Sequence, residues 1–170
     1  MEKRDLYDKN RNLTGKTIYK GEPIPPNYYI TVVLSFIQNS KGEFLIQKRS
    51  PQKDGLYGST GGHPKSGESS IQGMVTEIQE EIGLTIKPQE LELIYSGRED
   101  NCHVFFDIYY TKKDFDISDL VLQKEEVDFV EWASIKRIKE LINDGLFLKN
   151  HAEEVYRLID IFRQRGIELD

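Results

Sequence analysis

The chain of 170 residues contains a single cysteine, Cys102. No intrachain disulfide can form, which fits a reducing compartment. No apolar run approaches the roughly 18–20 residues needed to span a bilayer. The first ten residues, MEKRDLYDKN, lack the apolar stretch of a signal peptide. A cytoplasmic location is therefore the default expectation. Positive charge is also in deficit: 23 Lys and Arg face 29 Asp and Glu, for a net charge of −6. Non-specific nucleic-acid binding and anionic-membrane binding rest on positive charge, so neither partner is expected. An anionic substrate would need a local device to offset the repulsion, such as a bound metal ion. There is no internal repeat and no low-complexity stretch. Hydrophobic residues at 38% and aromatics at 11% are enough for a core, which excludes general disorder. The length suits one compact domain.

The first 28 residues read as a short hairpin and a Pro-rich connector packed on a domain covering residues 29–170. Leu6 and Tyr7 precede a polar turn, Lys16 to Tyr19 return as a strand, and the prolines of Glu22 to Asn27 exclude helix. Ile30 to Ile37 and Glu43 to Arg49 read as two strands of a hairpin around the turn Asn39 to Gly42. Residues 50–67 are mostly loop, with a short strand before Gly61-Gly62. A helix is expected over Ser69 to Ile82, with Ser69 and Gln72 as a capping box and Gly83 as its stop. Strands then follow at Leu91 to Tyr95, Cys102 to Tyr110 and Phe129 to Trp132. Two helices close the chain, over Ser134 to Asn143 and about 150–164. Strands mixed with segregated helices indicate an α+β fold with a mixed sheet.

The helix beginning near Ser69 carries the chemistry. At about 100° per residue from Glu77, Glu81 lies at about +40° and Glu80 at about −60°. Ile71, Met74, Val75, Ile78 and Ile82 fall between about 60° and 160°. One helix thus has a core face and, beside it, three converging carboxylates. Like charges at these spacings cost roughly 0.2–0.5 kcal/mol per pair. A hard divalent cation, Mg²⁺ or Mn²⁺, reverses that sign, because it prefers carboxylate oxygen. A solvated acidic face is the alternative reading.

The wider segment, from Gly62 to Leu84, resembles the Nudix box: Gly, five residues, Glu, seven residues, then Arg-Glu-apolar-any-Glu-Glu-any-Gly-apolar. Gly62, Glu68, Glu77, Ile78, Glu80, Glu81, Gly83 and Leu84 match. Six of these are fixed Gly or Glu at about 7% frequency each, so a chance match at a given start is roughly 10⁻⁷. Thr76 is the one departure and stands where the family has Arg. Asp5 to Asp8 with Gly15-Lys16, Gly42 to Arg49, and Glu125 to Trp132 are similar to the isopentenyl-diphosphate-isomerase-like branch. The resemblance covers about Asp5 to Trp132.

This resemblance implies an α/β/α sandwich in which a catalytic strand-loop-helix holds Mg²⁺ (or Mn²⁺) against a small-molecule diphosphate. It assigns Glu80, Glu81 and a backbone carbonyl of Gly61 or Gly62 to the metal. Glu77 is a further ligand or orients the attacking water, and Glu68 supports the loop or contacts metal. The base is expected outside the box at Glu125 or Glu126, with Glu99 and Asp100 competing. Arg49, Lys48 and Lys65 are candidates for substrate phosphate. The isomerases have a catalytic Cys where this chain has Gly61, just before His63-Pro64. A Cys102–His103 nucleophile pair is not expected, because strand neighbours point to opposite faces. The expected activity is hydrolysis of a diphosphate bond in a nucleoside diphosphate derivative or another organic diphosphate, slowed by Thr76. Isomerase activity and a weakly catalytic diphosphate-binding module are the alternatives. A monomer or homodimer is expected.

Overall fold

The computed structural model describes residues 1–170. Strands β1 (Lys3–Tyr7) and β2 (Leu13–Tyr19) form a separate two-stranded sheet. The main sheet contains β3 (Ile30–Gln38), β4 (Phe44–Arg49), β5 (Tyr57–Gly58), β6 (Gly61–Gly62), β7 (Glu92–Glu99), β8 (Val104–Lys112) and β9 (Val127–Ala133). Helix α1 (Ser70–Ile82) follows β6, and α2 (Ile135–Asn143) and α3 (Lys149–Gln164) close the chain.

The sheet is mixed. Its strands run β5-β4-β3-β8-β7, with β6 also against β3 and β9 against β4. β3 and β8 are parallel from Ile30 opposite Val104 to Gln38 opposite Lys112. Central β3 is buried on both faces, as a strand covered on each side must be. Val33 and Ile37 pack with Met74, Ile78 and Ile82 of α1. Leu34 and Phe36 pack with Val155, Leu158 and Phe162 of α3. Two cores on opposite faces make the expected α/β/α sandwich. Full burial of Met74, Ile78 and Ile82 contributes about 1.5–3 kcal/mol each.

Helix α1 follows the sequence closely. Ser69 is its N-cap in a complete capping box with Gln72, and Gly83 takes the left-handed conformation at the C-cap. The expected β3–β4 hairpin is corrected. Its turn is present, but the two strands pair only at Gln38 and Phe44. Beyond that point β4 pairs with β9 and β5, while β8 and β6 take the edges of β3. β8 starts at Val104, so Cys102 and His103 lie in the turn before it, and His103 has a positive φ of 56°.

The N-terminal sheet is fastened to the main body by backbone, core and ionic contacts. Tyr7 and Tyr29 exchange backbone hydrogen bonds at 2.8 and 2.9 Å. Leu6, Ile18 and Ile30 form a small core. Arg11 donates from Nη1 to Asp107 Oδ1 at 2.9 Å. Asp107 also accepts from Ser96 at 2.6 Å and from Ser70. Burial pushes the Asp107 carboxyl up. Hydrogen bonds from Arg11, Ser70 and Ser96 outweigh that and hold it below its ordinary value.

Candidate active site

A polar cleft of about 390 Å³ opens where β4, β6 and α1 meet. Glu77, Glu80, Glu81, Gly61, Gly62, Arg49 and Glu126 all line it. The helix spacing therefore brings the three carboxylates into one cavity, as the wheel requires. Glu77 lies under the β6 backbone: a Cβ at Gly62 would sit 2.3 Å from Glu77 Cδ. His63 N–H donates to Glu77 Oε1 at 3.3 Å. Glu81 accepts from Gln47 Nε2 at 3.0 Å, and Gln47 Oε1 accepts from the Thr60 hydroxyl at 2.8 Å.

Burial, and then the neighbouring Glu81 charge, push the Glu77 carboxyl up to about 7. Burial does the same to Glu81, up to about 7, against the opposing hydrogen bond from Gln47. Two carboxyls so raised are a donor pair without a compensating charge, and a divalent cation placed there would replace their protons. The residues present fit such an ion, with one adjustment. No three His, Cys, Asp or Glu side chains stand together in ligating positions. Glu80 is instead paired with Lys65 Nζ. Ligation by Glu80 requires that pair to open.

The other expected residues divide. Arg49 lines the cleft, and its Nε lies 3.0 Å from Asp54 Oδ1 without hydrogen-bond alignment, so that buried donor remains unmet. Lys48 points to the opposite side of β4, with its amine over the rings of Tyr57 and Phe129. It is not in the cleft, because strand neighbours alternate. Lys65 is paired with Glu80 and lies outside the cleft lining. Glu126 faces the cleft, with Oε2 3.1 Å from Lys53 Nζ. Glu125 offers only its carbonyl to the Ser50 hydroxyl, and its side chain is exposed outside the cleft. Asp100 is occupied by Tyr29 and Arg98. Glu68 braces the loop: it accepts from Lys65 N–H at 2.8 Å and from the Thr76 hydroxyl at 2.7 Å, and does not line the cleft. Thr76 thus bonds to Glu68 rather than to its own helix backbone.

Several lining residues went unread in the sequence. Gln47 could have been found, because it shares a strand face with Arg49. Arg4, Lys20, Lys53, Asn150 and His151 arrive from distant segments, and no local pattern marks them. His151 accepts from Ser59 N–H at Nδ1, 3.1 Å away, and burial holds it down to about 4, so it is neutral. A second cavity of about 270 Å³ adjoins the first through Val32, Asn150 and His151. Its lining mixes apolar Leu34, Val104 and Phe106 with charged Glu153, Glu154 and Arg157.

The geometry, an acidic helix face under a Gly-Gly strand, coincides with the family match. The NUDIX domain model matches residues 29–155. The chain belongs to the Nudix family. An uncharacterized Nudix hydrolase of Listeria monocytogenes is 36% identical over 152 residues, covering 87% of this chain and 89% of that protein. Another, from Clostridium acetobutylicum, is 31% identical over 184 residues, covering 94% and 86%. A crystal structure from Deinococcus radiodurans superposes with a TM-score of 0.76 at 23% identity, over 92% of this chain and 98% of that one. That likeness shows the Nudix fold. Nudix hydrolases generally cleave diphosphate bonds and generally use divalent metals.

Proposed function

We propose that this chain is a Mg²⁺- or Mn²⁺-dependent hydrolase of small organic diphosphates, nucleoside diphosphate derivatives among them. The observation that carries the reading is the gathering of Glu77, Glu80, Glu81, Arg49 and Glu126 around one cleft under Gly61 and Gly62. Glu80, Glu81 and a Gly61 or Gly62 carbonyl would hold the metal, with Glu77 as a further ligand or water-orienting group. When bound, the ion neutralises diphosphate charge and acidifies bound water.

The protein's own residues do the rest by position and charge. Arg49 lines the cleft and offers its guanidinium to phosphate oxygen. Glu126 is the base outside the box: it accepts the proton of the attacking water, and Lys53 holds its carboxylate in place. Gln47 fixes Glu81. The second cavity, with Leu34, Val104 and Phe106 in its lining, receives the organic part of the substrate. Glu77 has one long hydrogen bond and no arginine at position 76, so turnover is slow.

Isomerase chemistry is not the reading favoured. It needs an acid and a base across the allyl unit. Gly61 offers neither, and a Cβ there would lie 2.6 Å from the Val33 carbonyl oxygen. The isomerase-like segments outside the box share a framework rather than a reaction. No helix is long and apolar enough to cross a membrane. The reading places the protein in the cytoplasm, as a monomer or homodimer, with a small-molecule substrate.

A screen of diphosphate compounds with Mg²⁺ and Mn²⁺, followed by phosphate or mononucleotide detection, tests the proposal. Release that depends on added metal supports it. No release from any compound, at any metal concentration, favours a binding module.

A further inference from the structure

The cleft contains two cations that the reading above does not use, Arg4 and Lys20. Both come from the N-terminal hairpin, outside the residues matched by the family model. Arg4 lies opposite Ile18 in the β1–β2 ladder, and Lys20 N–H donates to the Glu2 carbonyl at 2.9 Å. Paired and alternate strand residues share a face. Arg4, Leu6, Ile18 and Lys20 therefore form one row. Leu6 and Ile18 are buried against Ile30, so the row faces the domain. The row that docks the hairpin also aims its two cations into the cleft.

Arg4 is poorly matched where it stands. Its side chain is only 13% exposed, and its nearest carboxylate, Glu2, is 3.6 Å away without a hydrogen bond. Its Nε is buried with no partner. An Nε–H held away from water without an acceptor is costly, and a guanidinium that turns to bond an anion in the cleft relieves that cost. Its position is fixed relative to the motif. Asp5 accepts from the Ser66 hydroxyl at 2.6 Å and from Gly67 N–H at 2.9 Å. Ser66 N–H in turn donates to the Lys3 carbonyl at 2.8 Å. The hairpin is thereby bonded to the loop that joins Gly62 to α1.

We propose that the N-terminal hairpin is part of the active site, with Arg4 and Lys20 gripping the phosphate of the diphosphate that is not attacked. Arg4 supplies a planar fork that suits two phosphate oxygens, and Lys20 a point charge. The proposal rests on the diphosphohydrolase reading.

Methylenediphosphonate keeps the charge and shape of diphosphate but has an uncleavable carbon bridge. Its binding in the presence of Mg²⁺, measured by calorimetry, is the test. Arg4→Gln should weaken it by about tenfold or more and Lys20→Gln by less, while Arg4→Lys recovers part of the loss. Lys20→Gln touches no core contact, so it stays informative if Arg4→Gln lowers Tm. Both neutral variants should also show a shallower dependence of affinity on salt than wild type. Wild-type affinity in both variants, with wild-type binding intact, overturns the clamp alone. No binding by the wild type overturns the hydrolase reading with it.

Discussion

Replacing Thr76 by Arg tests how this site manages without the family's arginine. Thr76 lies about −100° from Glu77 on the helix and donates only to Glu68, at 2.7 Å. Losing that hydrogen bond costs about 1 kcal/mol of local order, which an arginine bonded to Glu68 restores. The fork then has further donors for Glu77, which now has one N–H at 3.3 Å. One charge-assisted contact that orients Glu77 in the transition state, at about 1.4 kcal/mol, corresponds to a tenfold rate. Thr76→Arg should therefore raise kcat by about tenfold and change KM less. Lys65 is the cation now beside the carboxylates, through Glu80. The gain should be larger in a Lys65→Met background. Steady-state kinetics on a substrate found by screening is the assay. A folded Thr76→Arg protein with unchanged or lower kcat refutes the reasoning. So does a wild-type kcat at or above roughly 10 s⁻¹, the rate of an ordinary enzyme.

Three other outcomes follow from the same structure. His151 is held down to about 4, chiefly by burial, so the unfolded chain binds its proton first as pH falls. The stability it contributes is fully present above about pH 6.5 and is lost towards pH 4, by roughly 3 kcal/mol. His151→Gln should flatten denaturant-measured stability over that window, and an unchanged slope contradicts the burial argument. Asp107→Asn should cost about 2–3 kcal/mol at pH 7, because Arg11 loses its buried partner. Asp107 is held below its ordinary value, so this penalty is present above about pH 4 and shrinks as pH falls through the folded-state value. A penalty that does not shrink at all on acidification contradicts it. Gly61→Cys should lower stability by about 1–3 kcal/mol, because its Cβ meets the Val33 carbonyl, and should show no isomerase activity. A wild-type Tm would show that β6 can move aside.

The part of the site that lies on one helix was legible in the sequence, and the part assembled from a distance was not. Glu77, Glu80 and Glu81 were placed by helical period alone, and the caps Ser69 and Gly83 fixed the helix ends. Strand parity separates Arg49 from Lys48, which the resemblance alone left together as candidates. The β3–β4 pairing misled because a turn is local, whereas the choice of β8 as the parallel partner of β3 is made by residues about 74 positions away. The same limit hid Arg4, Lys20 and His151, which reach the cleft only when the hairpin and α3 dock. The pairing of Lys65 with Glu80 was not legible either, because it depends on how the loop folds back over α1.

The central claim is that the carboxylates of α1 make this chain a metal-dependent diphosphohydrolase. Phosphate or mononucleotide release, measured with Mg²⁺ and Mn²⁺ for the wild type and for Glu80→Gln combined with Glu81→Gln, tests it most directly. The account predicts metal-dependent release by the wild type and a loss of about 100-fold or more in a folded double variant, since two charged ligands are gone. Equal rates in the two proteins would contradict it.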